Sequence, residues 1–197
     1  MSVIFLFSFV FTPHFRIDQR EDTFSEALLN ALEKVGTPRT VQRSTHVLSP
    51  TTANDFFFYI RRGIFKTVRQ VNDRPVILGF TFPGDVDADI TSLIGQTNSE
   101  FSIVAVTDAD VLLCTWRVLE QALSREKYLA TINHFLARYV TVLQNRIVEA
   151  LAVTAEERYK QLVRQQAQHL NEIPISDMAS YLGITKQSMS RIRSSRL

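Results

Sequence analysis

The chain has 197 residues, of which 45% are hydrophobic and 21% are charged, with 6 Gly, 6 Pro and one cysteine. This composition is typical of a soluble globular protein of one or two domains and excludes collagen-like, low-complexity and disordered chains. The lone Cys114 excludes an internal disulfide and a four-thiolate metal site, so the sequence predicts a cytoplasmic protein. The net charge is only +2, yet residues 185–197 carry four bases and no acid. A basic end on a balanced chain indicates an anionic partner.

An apolar run, Val3–Phe11, lies within residues 1–22, which we expect to form an N-terminal extension. A membrane-spanning helix needs about 20 apolar residues, so this run is too short to cross a bilayer. It also lacks the basic region and the small-residue cleavage site of a signal peptide. We therefore expect neither export nor a membrane partner, and we interpret the run as a buried strand or as the product of an upstream start codon.

Residues 23–123 are expected to form a β-rich domain that opens with a helix. The spacing Thr23-x-x-Glu26 is that of a capping box, and apolar residues recur at helical intervals as far as Val35. Beyond it, turn signals separate short β-rich runs, which are Phe56–Ile60, Ile64–Val71, Val76–Phe82, Phe101–Val106 and Val111–Thr115. This spacing predicts an antiparallel sandwich or a small rolled barrel.

Residues 124–151 contain neither Gly nor Pro and carry a broad apolar stripe, which predicts one long helix. The stripe is wide enough to contact both its own β-domain and the same helix of a second chain. The alternative is a helix buried entirely within one chain. The expected dimer interface consists of Tyr128, Ile132, Phe135, Leu136, Tyr139, Leu143 and Ile147.

Residues 152–197 have the spacing of a helix-turn-helix preceded by a helix capped by Thr154. Small Ala179 allows two helices to cross closely, and Gly183 allows the positive φ of a tight turn between them. Ser176 and Thr185 are the expected N-caps of the two helices. The second helix presents side chains that contact base edges and phosphates, namely Thr185, Lys186, Gln187, Ser188, Ser190, Arg191 and Arg193.

The segments TAEERYKQL (154–162) and PISDMASYLGITKQSMSRIR (174–193) closely resemble the C-terminal domain of the Crp/Fnr family of bacterial regulators. Upstream, FYI-x-x-G (58–63) and FPGD (82–85) resemble the β-roll of that family. The resemblance covers residues 23–197 and implies an α+β fold, with an N-terminal antiparallel β-roll of the jelly-roll type, a long dimerisation helix and an all-α helix-turn-helix domain.

The resemblance also implies a function, which is sequence-specific transcription regulation by a homodimer on double-stranded DNA. It places Lys186, Gln187 and Arg191 at base-contacting positions and Thr185 and Ser188 at phosphate contacts. RNA polymerase is a further partner that it allows. The alternative is a ligand- or partner-sensing module of the same type whose DNA binding is secondary or lost.

The sequence departs from the cyclic-AMP-binding members of the family, which use a Gly-Glu pair and, about ten residues later, an arginine that holds the cyclic phosphate. Here the corresponding residues are Ala88-Asp89 and Ser99-Glu100-Phe101, and no base occurs between Arg74 and Arg117. A buried phosphate would meet carboxylates, so we expect no useful affinity for cyclic AMP or cyclic GMP. The candidate pocket residues are Gly84, Asp85, Asp89, Ser99, Glu100 and Phe101, and the sequence identifies no effector.

Enzyme and metal chemistry are not predicted. The four histidines are scattered, and no P-loop, dinucleotide fingerprint or catalytic triad is recognisable. The pattern Asp85-x-Asp87-x-Asp89 could contact a divalent cation, but we interpret it as a solvated acidic loop. We therefore expect a protein that is not an enzyme and has no cofactor.

Overall fold

The computed structural model describes residues 15–16, 23–52, 54–95 and 97–195. The apolar run Val3–Phe11 therefore lies outside the described residues. Within those residues, none of the helices is both long enough and apolar enough to span a membrane.

The N-terminal half is a roll of two antiparallel sheets that follows helix α1 (Thr23–Val35). The strands are β1 (Phe15–Arg16), β2 (Thr37–Val41), β3 (His46–Leu48), β4 (Phe56–Arg62), β5 (Phe65–Val71), β6 (Arg74–Thr81), β7 (Asp85–Asp87), β8 (Ser102–Ala105) and β9 (Ala109–Thr115). One sheet has the order β1-β7-β4-β9-β2 and the other the order β3-β8-β5-β6. A short helix, α2 (Ile90–Gly95), lies between β7 and β8. The predicted β-roll is confirmed, with the five predicted runs at β4, β5, β6, β8 and β9.

Alternating side chains of both sheets fill the centre of the roll. Phe58, Ile60 and Phe65 are fully buried there, and the rings of Phe58 and Phe65 meet edge-on with centroids 5.0 Å apart. Burial of each such side chain contributes about 1.5–3 kcal/mol, which is why this apolar alternation determines the register of the strands.

Strands β5 and β6 form a hairpin that becomes important for the C-terminal helices. Its turn residues Asn72 and Asp73 have φ values of 50° and 60°, as a tight two-residue turn between twisted strands requires. Strand β6 is the last strand of its sheet, so one side of its backbone faces away from the other strands.

The C-terminal half is helical. Its helices are α3 (Trp116–Ala122), α4 (Arg125–Ala152), α5 (Ala155–Gln166), α6 (Ile175–Leu182) and α7 (Lys186–Ser194), with a 3-10 turn at Leu170–Glu172. Ser124 caps α4, and Thr154 caps α5 in a reciprocal capping box with Glu157. Helix α5 thus begins where the predicted cap at Thr154 places it.

Candidate nucleic-acid interface

Helices α6 and α7 are joined by a tight turn at Gly183. This residue has a φ of 69°, a left-handed conformation that glycine adopts without steric cost. The N–H of Ile184 donates to the Ala179 carbonyl at 3.0 Å, which closes the end of α6. Thr185 Oγ1 then accepts from the Ser188 N–H at 3.1 Å and caps α7. The predicted turn and second cap are present, but α6 begins after Pro174 and Ser176 does not cap it.

Helix α7 has one buried and one exposed face. Met189 is fully buried among residues of α5 and α6, and Ile192 packs beside it. The exposed residues that the sequence analysis selected are Thr185, Lys186, Gln187, Ser190 and Arg191, whereas Ser188 is half-buried with its hydroxyl 2.9 Å from that of Thr185. Because α7 contains no acidic residue, this face has a basic and amide-rich character.

Arg193 does not belong to the exposed face, although the sequence analysis included it. Its Nη2 donates to the carbonyl oxygen of Leu170 at 2.7 Å and to that of Ile173 at 3.4 Å. Its Nε also donates to the Tyr159 hydroxyl at 3.4 Å. Arg193 therefore links α7 to α5 and to the turn after it, because the helical period places this position on the inner side.

The long helix α4 divides its apolar residues between two directions. Tyr128, Ile132 and Phe135 pack against α1 and the roll of the same chain, where the rings of Trp116 and Tyr128 meet edge-on at 5.5 Å. These three residues were predicted to lie in a dimer interface, and the structure instead places them in an intramolecular core. A single sequence cannot distinguish the two uses of one apolar stripe.

The other side of α4 is apolar and exposed. We define the α4 seam as Leu129, Asn133, Leu136, Val140, Leu143, Ile147 and Ala150. The seam's exposed large apolar side chains have between 39% and 60% of their surface accessible. Leucines recur every seven residues at 129, 136 and 143, and Asn133, Val140 and Ile147 form a second seven-residue series. Of the predicted dimer set, Leu136, Leu143 and Ile147 lie on this seam.

A cavity of about 360 Å³ lies between α4 and the roll. Of the predicted pocket residues, only Asp89 and Phe101 line it, together with Asp87 from the roll. Helix α4 contributes Arg146, Tyr139, which was predicted for the dimer interface, and the seam residues Leu143, Ile147 and Ala150.

The other four predicted residues have different roles. Ser99 donates its hydroxyl to Asp89 at 2.6 Å, Asp85 accepts the Phe82 N–H at 2.8 Å, and Gly84 has the positive φ of a turn. Glu100 pairs with Arg69 at the surface.

The aspartates of β7 and of the segment after it are buried, so their interpretation as a solvated loop is wrong. Asp87 accepts the Thr81 hydroxyl at 2.6 Å, and Asp89 accepts the Ser92 N–H at 3.2 Å. Burial, followed by the negative charges of Asp89 and Asp87, raises the pKa of the Tyr139 hydroxyl. Among the described residues, no group of three or more His, Cys, Asp or Glu side chains is arranged to hold a metal ion.

Arg146 is a charged cavity-lining residue of α4 that the sequence analysis missed. Its guanidinium carbon lies 4.9 Å from the centroid of the Tyr181 ring, which places a cation between the cavity and α6. Because no basic residue occurs between Arg74 and Arg117, the sequence indicated a pocket without a cation. In the structure, the long helix α4 places Arg146 in the lining of the cavity.

A second group of charges lies where α4 meets the last helices. Glu149 is buried, and burial raises its pKa to about 7, although Arg146 and Arg158 lower it in part. Arg158 donates to the Leu182 carbonyl at 2.8 Å, which joins α5 to the end of α6. Neither Glu149 Oε1 nor Arg158 Nε has a hydrogen-bond partner among the described residues, so both charges of this joint are incompletely satisfied.

No protein-family model and no curated protein matches the chain by sequence. Several solved structures match it by fold. FixK2 from Bradyrhizobium japonicum has a TM-score of 0.67 at 20% identity, over 82% of this chain and 84% of that protein. A CooA mutant from Carboxydothermus hydrogenoformans has a TM-score of 0.64 at 15% identity, over 91% and 86%.

A protein from Eubacterium rectale, described as a transcriptional regulator of the Crp/Fnr family, gives 0.63 at 14% identity over 86% of this chain and 82% of its own. The chain therefore has the fold of the Crp/Fnr regulators that its sequence resembles.

Proposed function

We propose that the protein is a Crp/Fnr-type transcription regulator that binds double-stranded DNA sequence-specifically as a homodimer. The observation that carries this proposal is the exposed, acid-free face of α7 behind a capped tight turn. Residues 23–123 form the sensor domain, 124–151 the dimerisation helix and 152–197 the DNA-binding domain. The fold shared with a described transcriptional regulator supports this assignment.

The chemistry of the α7 face suits the edges of base pairs in the major groove. Gln187 presents the donor and acceptor that pair with adenine, and Lys186 and Arg191 present donors for guanine. Thr185 and Ser188 lie at the N-terminus of α7, whose free N–H groups and positive helix dipole favour a phosphate. The face thus combines base reading with phosphate binding, as sequence-specific recognition requires.

The α4 seam supports the homodimer. Its series of leucines matches the d positions of a heptad repeat, and Val140 and Ile147 fall at a positions, the combination that favours parallel two-stranded coiled coils. Asn133 falls at an a position as well, where pairing with its own copy fixes the register. A two-fold dimer through this seam would present both α7 helices to successive major grooves.

The sensor domain is proposed not to respond to cyclic AMP or cyclic GMP. Two buried carboxylates, Asp87 and Asp89, line the cavity, and the Arg146 guanidinium already lies over the Tyr181 ring. An entering phosphate would therefore be repelled by the roll side of the cavity. Calorimetric titration with each nucleotide should give no binding heat at micromolar concentration, and a saturable micromolar isotherm would contradict this.

Selection of random duplex DNA on the purified protein tests the proposed function. We expect a two-fold symmetric motif to be enriched by the wild type, but not by the Lys186→Ala/Gln187→Ala variant, which should melt at the same temperature because both side chains are exposed. No enrichment by the wild type would favour the sensing-module alternative, which the cavity between α4 and the roll supports.

A further inference from the structure

We infer that four residues clamp helix α6 to the β5–β6 hairpin and so fix the separation of the two α7 helices in the dimer. The clamp consists of Lys66, Asp177, Ser180 and Tyr181, which we regard as positioning residues. The inference rests on the proposed DNA-binding function, because it concerns how that function selects the spacing of its half-sites. Every contact of the clamp is made between two residues of this chain.

Ser180 attaches α6 to the outer edge of the sheet. Its hydroxyl oxygen accepts from the Ile77 N–H at 3.2 Å and donates to the Pro75 carbonyl at 3.2 Å. Both backbone groups belong to β6, the last strand of its sheet, whose outer groups would otherwise need water or another chain. One side chain thus replaces part of a neighbouring strand and determines where along β6 the helix lies.

Lys66 and Asp177 provide the second point of attachment. Lys66 Nζ lies 2.7 Å from Asp177 Oδ2, and the side chains are only 23% and 17% exposed. Loss of one partner would leave a partly buried charge unpaired, so this pair resists separation more than an exposed ion pair does. Asp177 and Ser180 are three residues apart on α6 and therefore lie on the same face of the helix.

Tyr181 provides the third point, because it contacts both the roll and α4. Its ring lies 5.4 Å from that of Phe80 on β6, and the Arg146 guanidinium covers it from α4. The apolar residues around it form one continuous cluster in which Ile64 and Phe82 of the roll join Met178 of α6. Helix α6 cannot rotate against the roll without breaking all three attachments.

The orientation of α6 determines that of α7. Met178 and Ala179 of α6 lie in the same buried cluster as Met189 of α7, and the Gly183 turn joins the two helices directly. In a dimer built on the α4 seam, the clamp therefore sets the distance between the two recognition helices. DNA half-sites recur at about 34–36 Å, so a freely rotating α6 would lose the benefit of binding both half-sites at once.

The test compares duplexes that carry two selected half-sites with duplexes that carry one. For the variants Lys66→Gln, Asp177→Asn and Ser180→Ala we expect the preference for two half-sites to fall about tenfold, while affinity for one half-site stays within about twofold. When the number of base pairs between the two half-sites is changed, the variants should lose less affinity than the wild type. Arg69→Gln is the matched control, because it breaks the exposed Arg69–Glu100 pair on the same hairpin.

A preference for two half-sites that is unchanged in all three variants would overturn the inference. A second measurement does not depend on DNA. Nitroxide labels at Gln70→Cys and Lys160→Cys, in chains diluted with unlabelled protein, should give one narrow distance distribution that broadens when Ser180→Ala is added. A distance distribution that Ser180→Ala does not broaden would also overturn the clamp. If the wild type fails to bind DNA but Ser180→Ala still broadens the distribution, only the proposed function is overturned.

Discussion

The guanidinium of Arg193 donates a hydrogen bond of 2.7 Å to the carbonyl oxygen of Leu170, which ties helix α7 to the turn after α5. Arg191, two residues earlier on the same helix, is exposed. Two arginines of one short segment therefore have opposite roles. Arg191 is exposed on the face that we propose binds DNA, and Arg193 holds the helix that presents this face.

Replacing Arg193 with Met should reduce the stability of the C-terminal helices. A hydrogen bond from a charged group to a carbonyl contributes about 1.5–3 kcal/mol, and the variant leaves the carbonyl oxygens of Leu170 and Ile173 without this donor. Thermal unfolding should show a lower midpoint than for the wild type. An unchanged midpoint together with a selective loss of DNA affinity would place Arg193 on the DNA instead.

Replacing Arg191 with Ala should leave stability and dimerisation unchanged and cost about 1–3 kcal/mol of specific DNA affinity. The side chain is exposed and contributes to the face that we propose contacts base edges. Fluorescence anisotropy with the selected duplex measures the loss, and Arg39→Ala on β2 serves as a control for the removal of one exposed positive charge. Equal affinities of Arg191→Ala and wild type would reject this assignment of the recognition surface.

Replacing Ile147 with Lys should convert the protein to a monomer. Ile147 is 60% exposed in the single chain and is the last member of the a-position series Asn133, Val140 and Ile147, where a lysine would bring two positive charges together across a parallel pair. Thr141→Lys, an exposed position outside the α4 seam, should remain dimeric. Sedimentation velocity distinguishes these outcomes, and a dimeric Ile147→Lys would show that the seam is not the interface.

Glu149 should make stability depend on pH in a specific window. Because burial raises its pKa from 4.5 to about 7, the folded protein binds the proton more tightly than the unfolded chain. The stabilisation that the proton on Glu149 gives to the folded state is therefore fully present below about pH 4.5. This part of the free energy of unfolding is lost as the pH rises towards 7. The melting temperature of Glu149→Gln minus that of wild type should be larger at pH 8 than at pH 5, and a difference that does not change with pH would contradict the raised pKa.

Local chemistry could be read from the sequence. The capping pairs at Thr154 and Thr185 and the turn at Gly183 depend on residues within three positions of one another, and each is present in the structure. Strands β4, β5, β6, β8 and β9 were recognisable because β-branched and aromatic runs alternate with turn residues there. These helix ends, this turn and these strands could therefore be predicted from residues that are close together in the sequence.

Contacts between distant segments could not be read in the same way. Tyr128 and Leu129 are adjacent and both apolar, yet one packs against its own roll and the other faces outward. Arg146 reaches the cavity only because α4 folds back over the roll, and nothing in the sequence around Ser180 indicates its contact with β6. Such roles depend on which elements become neighbours, and a single sequence does not contain that information.

The most direct measurement of the central claim is a hydroxyl-radical footprint of the protein on a duplex recovered by selection. A dimer with two clamped recognition helices predicts two protected patches on one face of the DNA, separated by about one helical turn of 10 base pairs. The monomeric Ile147→Lys variant should lose this paired protection. A single protected patch, or protection that covers the duplex uniformly, would contradict a dimeric sequence-specific regulator.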